Sequence, residues 1–265
     1  MNRHRLYGRA STSTLWWLTG MALFVLLGNT ALAAVGGLQL NQTRVIFDAK
    51  ATNAKATIKN QSDRVYLVKA GVLTTPDQNA AKKSTAAPTV PFMVTPPLFR
   101  LEPNSQNSVL VVRDGTAELP TDRESVFYLS LLAIPATSKL TEEQNTEVSA
   151  RVSVGIQTII KLFYRPEGLS IPVQTAAEKL TFRQVGQVLQ IANPTPYFVT
   201  LARLTLDGQV IDVRQAEAGA MIAPLSTQDY PITGQAQQVS WAAINDYGGK
   251  SAEYHTTVSS IKAAR

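Results

Sequence analysis

Apolar and polar positions alternate over much of this chain, and the clearest case is 148–156. Val148, Ala150, Val152, Val154 and Ile156 are apolar, while Ser149, Arg151, Ser153 and Gly155 between them are polar or lack a side chain. A period of two places the five apolar side chains on one face of a β-strand. From Ile159 the alternation gives way to a continuous run, Ile159-Ile160-Lys161-Leu162-Phe163-Tyr164, with a single cation inside it. Arg165-Pro166-Glu167-Gly168 then ends the strand, because Pro supplies no ladder N–H and Gly permits a turn. Such a strand exceeds the usual length of about five or six residues. It reads either as a long central strand of a β-sandwich or as an edge strand whose apolar face belongs to another chain.

Short runs of the same kind fill the remainder. The pattern predicts strands over 38–47, 54–60, 65–73, 107–113 and 125–134, the last apolar and aromatic enough to be central. Residues 92–101 contain Pro96 and Pro97, which demote the run to an edge strand or an extended connection. Residues 74–91 read as a surface excursion, and 136–147 as a polar loop carrying Lys139, Glu142, Glu143 and Glu147. After Gly168, shorter runs are expected at 180–184, 188–192, 197–206, 210–213, 228–232, 239–244 and 251–258. Asn193-Pro194-Thr195-Pro196 and Asp246-Tyr247-Gly248-Gly249 are turn signals among them. Neither an internal repeat nor a helical period of useful length is present. Two β-sandwiches joined near 164–170 are the economical architecture.

The first residues have a different character. Arg3, Arg5 and Arg9 precede an apolar run over 15–28, and Ala31-Leu32-Ala33 has the form of a cleavage site. An N-terminal membrane anchor is the competing reading, but the run is short for a span and small residues follow it directly. The expectation is a signal peptide over 1–33, with export to the periplasm and no membrane-embedded segment afterwards. The remaining chain divides into domains at 34–165 and 166–265. Removing the three leader arginines leaves 22 basic against 19 acidic side chains, so the net charge of +6 falls to +3 and does not argue for nucleic acid. The chain has no Cys and only two His, His4 and His255. Thiol chemistry, zinc–thiolate sites and His clusters are thereby excluded, and no catalytic, metal or cofactor site is assigned.

Six stretches carry a resemblance. They are Thr43-Arg44-Val45-Ile46-Phe47, Pro96-Pro97-Leu98-Phe99-Arg100-Leu101-Glu102-Pro103 and Leu119-Pro120-Thr121-Asp122-Arg123-Glu124-Ser125-Val126-Phe127-Tyr128. Further on come Ile160-Lys161-Leu162-Phe163-Tyr164-Arg165-Pro166, Asn193-Pro194-Thr195-Pro196-Tyr197-Phe198-Val199-Thr200 and Ile244-Asn245-Asp246-Tyr247-Gly248-Gly249. Together, and in this order, they resemble the periplasmic pilus-assembly chaperones, the family of the P-pilus chaperone. The resemblance implies an all-β protein of two immunoglobulin-like sandwiches in a boomerang arrangement. It implies pilin subunits and an outer-membrane usher as partners, and no enzyme activity. A pilin lacks its last strand, and the chaperone lends one of its own until the next subunit replaces it.

By the same resemblance, Val148, Ala150, Val152, Val154 and Ile156 are the donor face. Arg44 and Lys161 anchor the pilin's C-terminal carboxylate, and Glu124, Arg165 and Asp246 form an interdomain ion network. Read without the resemblance, Lys161 is a cation snorkelling out of an apolar run, and the other three are unrelated surface charges. The family's long-loop members carry a cysteine pair around 136–147, and this chain has none, so its subclass stays open. A secreted structural or adhesive sandwich protein is the alternative function, and a periplasmic hydrolase a third.

Overall fold

The structure, a computed structural model, describes residues 37–76, 90–115, 118–136, 154–214 and 219–261. The expected signal peptide, the polar loop apart from Ala136, and Val148, Ala150 and Val152 lie outside these residues, as does most of the surface excursion. Among the described residues no helix is long and apolar enough to cross a membrane.

The N-terminal sandwich is built from β1 (Leu38–Leu40), β2 (Arg44–Asp48), β3 (Asn53–Asn60), β4 (Tyr66–Leu73), β5 (Phe92–Thr95), β6 (Leu98–Leu101), β7 (Gln106–Arg113), β8 (Ser125–Pro135) and β9 (Ile156–Arg165). One sheet runs β1-β3-β7-β5 and the other β2-β9-β8-β4-β6. Their inner faces share one core containing Val45, Phe47, Ile58, Val109, Leu129 and Leu162. Phe92 closes it with Phe47 and Phe127, at ring separations of 5.3 and 5.0 Å.

Two expected runs are each divided between the sheets. Residues 38–47 become β1 in one sheet and β2 in the other, and 92–101 become β5 and β6. The physical reason is a change of parity. Leu38 and Leu40 face inward at even positions, but Val45 and Phe47 at odd ones. Likewise Phe92 and Val94 are even, whereas Phe99 and Leu101 are odd. A continuous strand cannot bury both sets on one face, so the chain crosses between sheets at 41–43 and at Pro96-Pro97. Both β5 and β6 are edge strands, with Pro96 and Pro97 in the connection between them, and β8 is central.

The C-terminal sandwich comprises β10 (Thr181–Val185), β11 (Val188–Asn193), β12 (Val199–Leu206), β13 (Gln209–Ile211), β14 (Met221–Ile222), β15 (Ser226–Pro231), β16 (Gln238–Ala243), β17 (Tyr254–Thr257) and β18 (Ser259–Ile261). Its sheets run β15-β11-β10-β18 and β13-β12-β16-β17, with β14 also on β12. A second, separate core gathers Phe182, Leu189, Ile191, Leu204, Tyr230 and Trp241. Two single 3-10 turns, Val173–Thr175 and Ala177–Lys179, precede it, and Trp241 Nε1 donates to Ala177 O at 2.8 Å.

A buried asparagine folds a turn in each sandwich. Asn60 donates to the carbonyls of Arg64 and Glu102 and accepts from the N–H and hydroxyl of Ser62. Asn193 donates to Tyr197 O and Ala223 O and accepts from the N–H and hydroxyl of Thr195. Full pairing is what makes a buried amide tolerable, and it fixes where the next strand begins. In the second sandwich that strand carries Thr200 to the site, with Phe198 immediately before it.

Candidate functional site

Strand β9 has two faces and two halves. On one face Ile160, Leu162 and Tyr164 are buried in the N-terminal core. On the other, Lys161, Phe163 and Arg165 meet the C-terminal sandwich, with Phe163 and Phe198 rings 5.5 Å apart. Along its length β9 pairs antiparallel with β8, from Ile156 opposite Ala133 to Tyr164 opposite Ser125. On the other side β2 pairs in parallel, but only from Lys161 opposite Arg44 to Arg165 opposite Asp48. The strand is therefore central from Lys161 onward and an edge from Ile156 to Ile160. The central-strand reading holds for the later half, and the earlier half is an edge. The described strand begins at Ile156, and Val154 precedes it outside the ladder. Val154 is 68% exposed and Ile156 43%. They share the parity of Ile160 and Leu162, so the greasy face of the core runs on past the point where its own sandwich ends.

Two cations mark that point. Arg44 opens β2 and Lys161 lies directly opposite it, which follows from the parallel register. Arg44 Nη1 donates to Ile244 O at 3.2 Å, its guanidinium carbon stands 5.9 Å from the Phe163 ring centre, and its buried Nε has no partner. Lys161 Nζ donates to Thr200 Oγ1 at 3.3 Å. Burial, and then the charge of Arg44, pushes the Lys161 ammonium down to about 8. Burial also lowers Arg44, against the opposing pull of Asp246 and Glu124. Two half-desolvated cations stand side by side with no ion pair of their own among the described residues, an arrangement whose free donors suit an anion.

Glu124, Arg165 and Asp246 meet in the structure. Arg165 Nε donates to Glu124 Oε1 at 2.8 Å, and its two terminal nitrogens donate to the two oxygens of Asp246 at 2.8 and 3.0 Å. The Glu124 side chain is only 2% exposed, and its second oxygen accepts the Phe198 N–H at 2.9 Å. Burial pushes the Glu124 carboxyl up, and Arg165 and the Phe198 amide pull it partly back. For Arg165 burial acts downward, but the hydrogen bonds and charges of the two carboxylates outweigh it and hold the guanidinium firmly charged. The N-terminal sandwich contributes Glu124 and Arg165, the C-terminal one Asp246.

Sequence reasoning did not find Phe198, Thr200 or the Ile244 carbonyl, although all three fall within quoted motifs. Their partners lie 74, 39 and 200 residues away, so no local spacing could have signalled the contacts.

Comparison with known proteins decides the lineage. The family description "Pili and flagellar-assembly chaperone, PapD N-terminal domain" matches residues 37–170, and "Pili assembly chaperone PapD, C-terminal domain" matches 175–262. The chain belongs to the PapD family of pilus-assembly chaperones. Among PapD-family relatives, the chaperone protein FimB/FhaD of Bordetella pertussis (strain Tohama I) is 36% identical over 229 residues, covering 84% of this chain and 89% of its own. The crystal structure of the Escherichia coli chaperone DraB superposes with a TM-score of 0.69 at 33% identity, over 84% of this chain and 96% of that one. A Salmonella enterica structure of the SafA pilin in complex with the SafB chaperone gives 0.68 at 29% identity, over 83% and 96%.

The ion triad makes a stability prediction. Arg165→Ala leaves Glu124 buried without its cation, at a cost of about 3–5 kcal/mol. Denaturant unfolding should show that loss, and Glu124→Gln in the Arg165→Ala background should recover part of it, because the uncompensated charge is gone.

Proposed function

We propose that this PapD-family chain is a periplasmic chaperone that captures pilin subunits by donor-strand complementation and passes them to an outer-membrane usher. The observation that carries the reading is the change in pairing along β9, an open edge that stops at two facing cations. A client strand laid along Ile156–Ile160 would gain ladder hydrogen bonds there and end where β2 begins. Its terminal carboxylate would then sit between Arg44 and Lys161. Anchoring that end sets register, which matters because a one-residue slip turns every side chain to the wrong face. The donor face, Ile156 and Val154 continued by Val152, Ala150 and Val148, would fill the subunit's open groove.

Export follows from the leader-like first residues, the pilin partner from the family and the SafA–SafB complex, and the usher from the family alone. The activity is binding, with no bond made or broken. A structural or adhesive fibre protein is disfavoured because both halves of the chain match the two chaperone domains.

The carboxylate contact can be isolated with a synthetic peptide carrying the C-terminal strand of a pilin, its terminus free or amidated. A charge-assisted hydrogen bond contributes about 1.5–3 kcal/mol, so the free acid should bind roughly ten- to a hundredfold more tightly. Arg44→Ala and Lys161→Ala should fold yet lose most of that preference. The pH dependence has a definite sign. In the free protein Lys161 titrates near 8, and a bound carboxylate raises that value. Binding therefore takes up a proton above pH 8, and free-acid affinity should fall as pH rises through 8, while Lys161→Ala shows no such fall.

The donor face is tested separately. Val154→Asp should abolish capture of a whole subunit while shifting the chaperone's own stability by about 0.5 kcal/mol or less, since Val154 is exposed in the free protein. Capture is read by co-purification and stability by denaturant unfolding.

A further inference from the structure

Both candidate anchor cations stand on the N-terminal sandwich, yet each is tethered to the C-terminal one. Arg44 donates to Ile244 O and Lys161 to Thr200 Oγ1. The two tethers end on a single hydrogen-bonded pair, because the Ile244 N–H donates to Thr200 O at 2.8 Å. A guanidinium is planar, with its donors in a rigid fork. Its bond to Ile244 O thus fixes the plane of Arg44 and decides which remaining donors can face an arriving carboxylate.

Ile244 in turn opens the loop 244–249, and particular contacts hold that loop. Asp246 clasps Arg165 with both oxygens. Asn245 Oδ1 accepts the N–H groups of Tyr247 and Gly249 and so folds the turn from within. Gly248 adopts φ +83° and lies so close to Thr43, the neighbour of Arg44, that a Cβ there would stand 2.5 Å from Thr43 Oγ1. Glycine is needed twice, for the conformation and for the approach. A cavity of about 210 Å³ is walled in part by Arg44, Ile244, Asn245 and Tyr247, so no packed core supports the loop on that side.

We infer that the 244–249 loop is a positioning element for Arg44, with Gly248 as the residue that lets it seat against Thr43. The C-terminal sandwich thereby shares in setting affinity for the client's terminal carboxylate without touching it. This rests on the reading of Arg44 and Lys161 as the carboxylate anchor, and adds to it a specificity-determining residue in the other domain.

The test is the free-acid over amide preference for the pilin strand peptide in wild type, Arg44→Ala, Gly248→Ala and Thr43→Ala/Gly248→Ala, with Tm measured for each. Gly248→Ala should weaken free-acid binding by about tenfold, the scale of one charged hydrogen bond, and change amide binding less than twofold. Removing the obstructing hydroxyl in the double variant should restore part of the preference. A Gly248→Ala protein that keeps the wild-type preference while Arg44→Ala loses it overturns the inference and leaves the anchor standing. A wild type without any preference overturns the anchor itself. Should Gly248→Ala not fold, Asp246→Asn loosens the same loop from Arg165 and is judged by the same ratio.

Discussion

The parallel pairing of β2 with β9 covers five residues and then stops, and the behaviour of the molecule follows from where it stops. From Ile156 to Ile160, before that pairing begins, the backbone of β9 has a neighbour on one side only. Unpaired ladder groups next to exposed apolar side chains are a hazard that folded proteins ordinarily cover or blunt. Here the edge carries Ile156, with Val154 beside it, on the face that packs the sandwich's own core a few residues later. One strand thus belongs to its own core at one end and presents an exposed apolar edge at the other.

The cations at the junction resolve a competition between burial and use. Arg44 and Lys161 gain nothing from each other, and burial penalises both. In the proposed function a carboxylate would reverse the balance, since it would meet two desolvated donors at once. The Arg165 network works differently. Its charges are mutually satisfied in the free protein, where it joins the sandwiches through Glu124 on one side and Asp246 on the other. One ionic cluster is therefore mutually paired and links the domains, while the other has no carboxylate partner among the described residues. Ile244 and its loop lie between them.

Much of this was legible from residue order. Alternation located most of the strands, and the parity slips between Leu40 and Val45 and between Val94 and Phe99 encode the two sheet crossings that reading each run as one strand overlooked. The edge position expected for 92–101 is observed, but the prolines at 96 and 97 act between two edge strands rather than inside one. Hidden from the sequence was how far β2 extends along β9, because pairing length is a property of two segments more than a hundred residues apart. The contacts of Thr200, Phe198 and Ile244 were hidden for the same reason. The ion triad was nameable only through resemblance to a family, since 41 and 81 residues separate Arg165 from its partners. Val148, Ala150 and Val152, through which the alternation extends the proposed donor face, fall outside the described residues.

Amide hydrogen exchange of the full chain, free and in complex with a pilin subunit, addresses the open edge most directly. In the free protein, amides of Leu162–Tyr164 should already be protected by strands on both sides, whereas those of Ile156–Ile160 that point away from β8 should exchange quickly. Complex formation should slow the second group strongly and leave the first almost unchanged. Equal protection of both groups before binding, or no slowing of Ile156–Ile160 in the complex, would contradict capture along this edge.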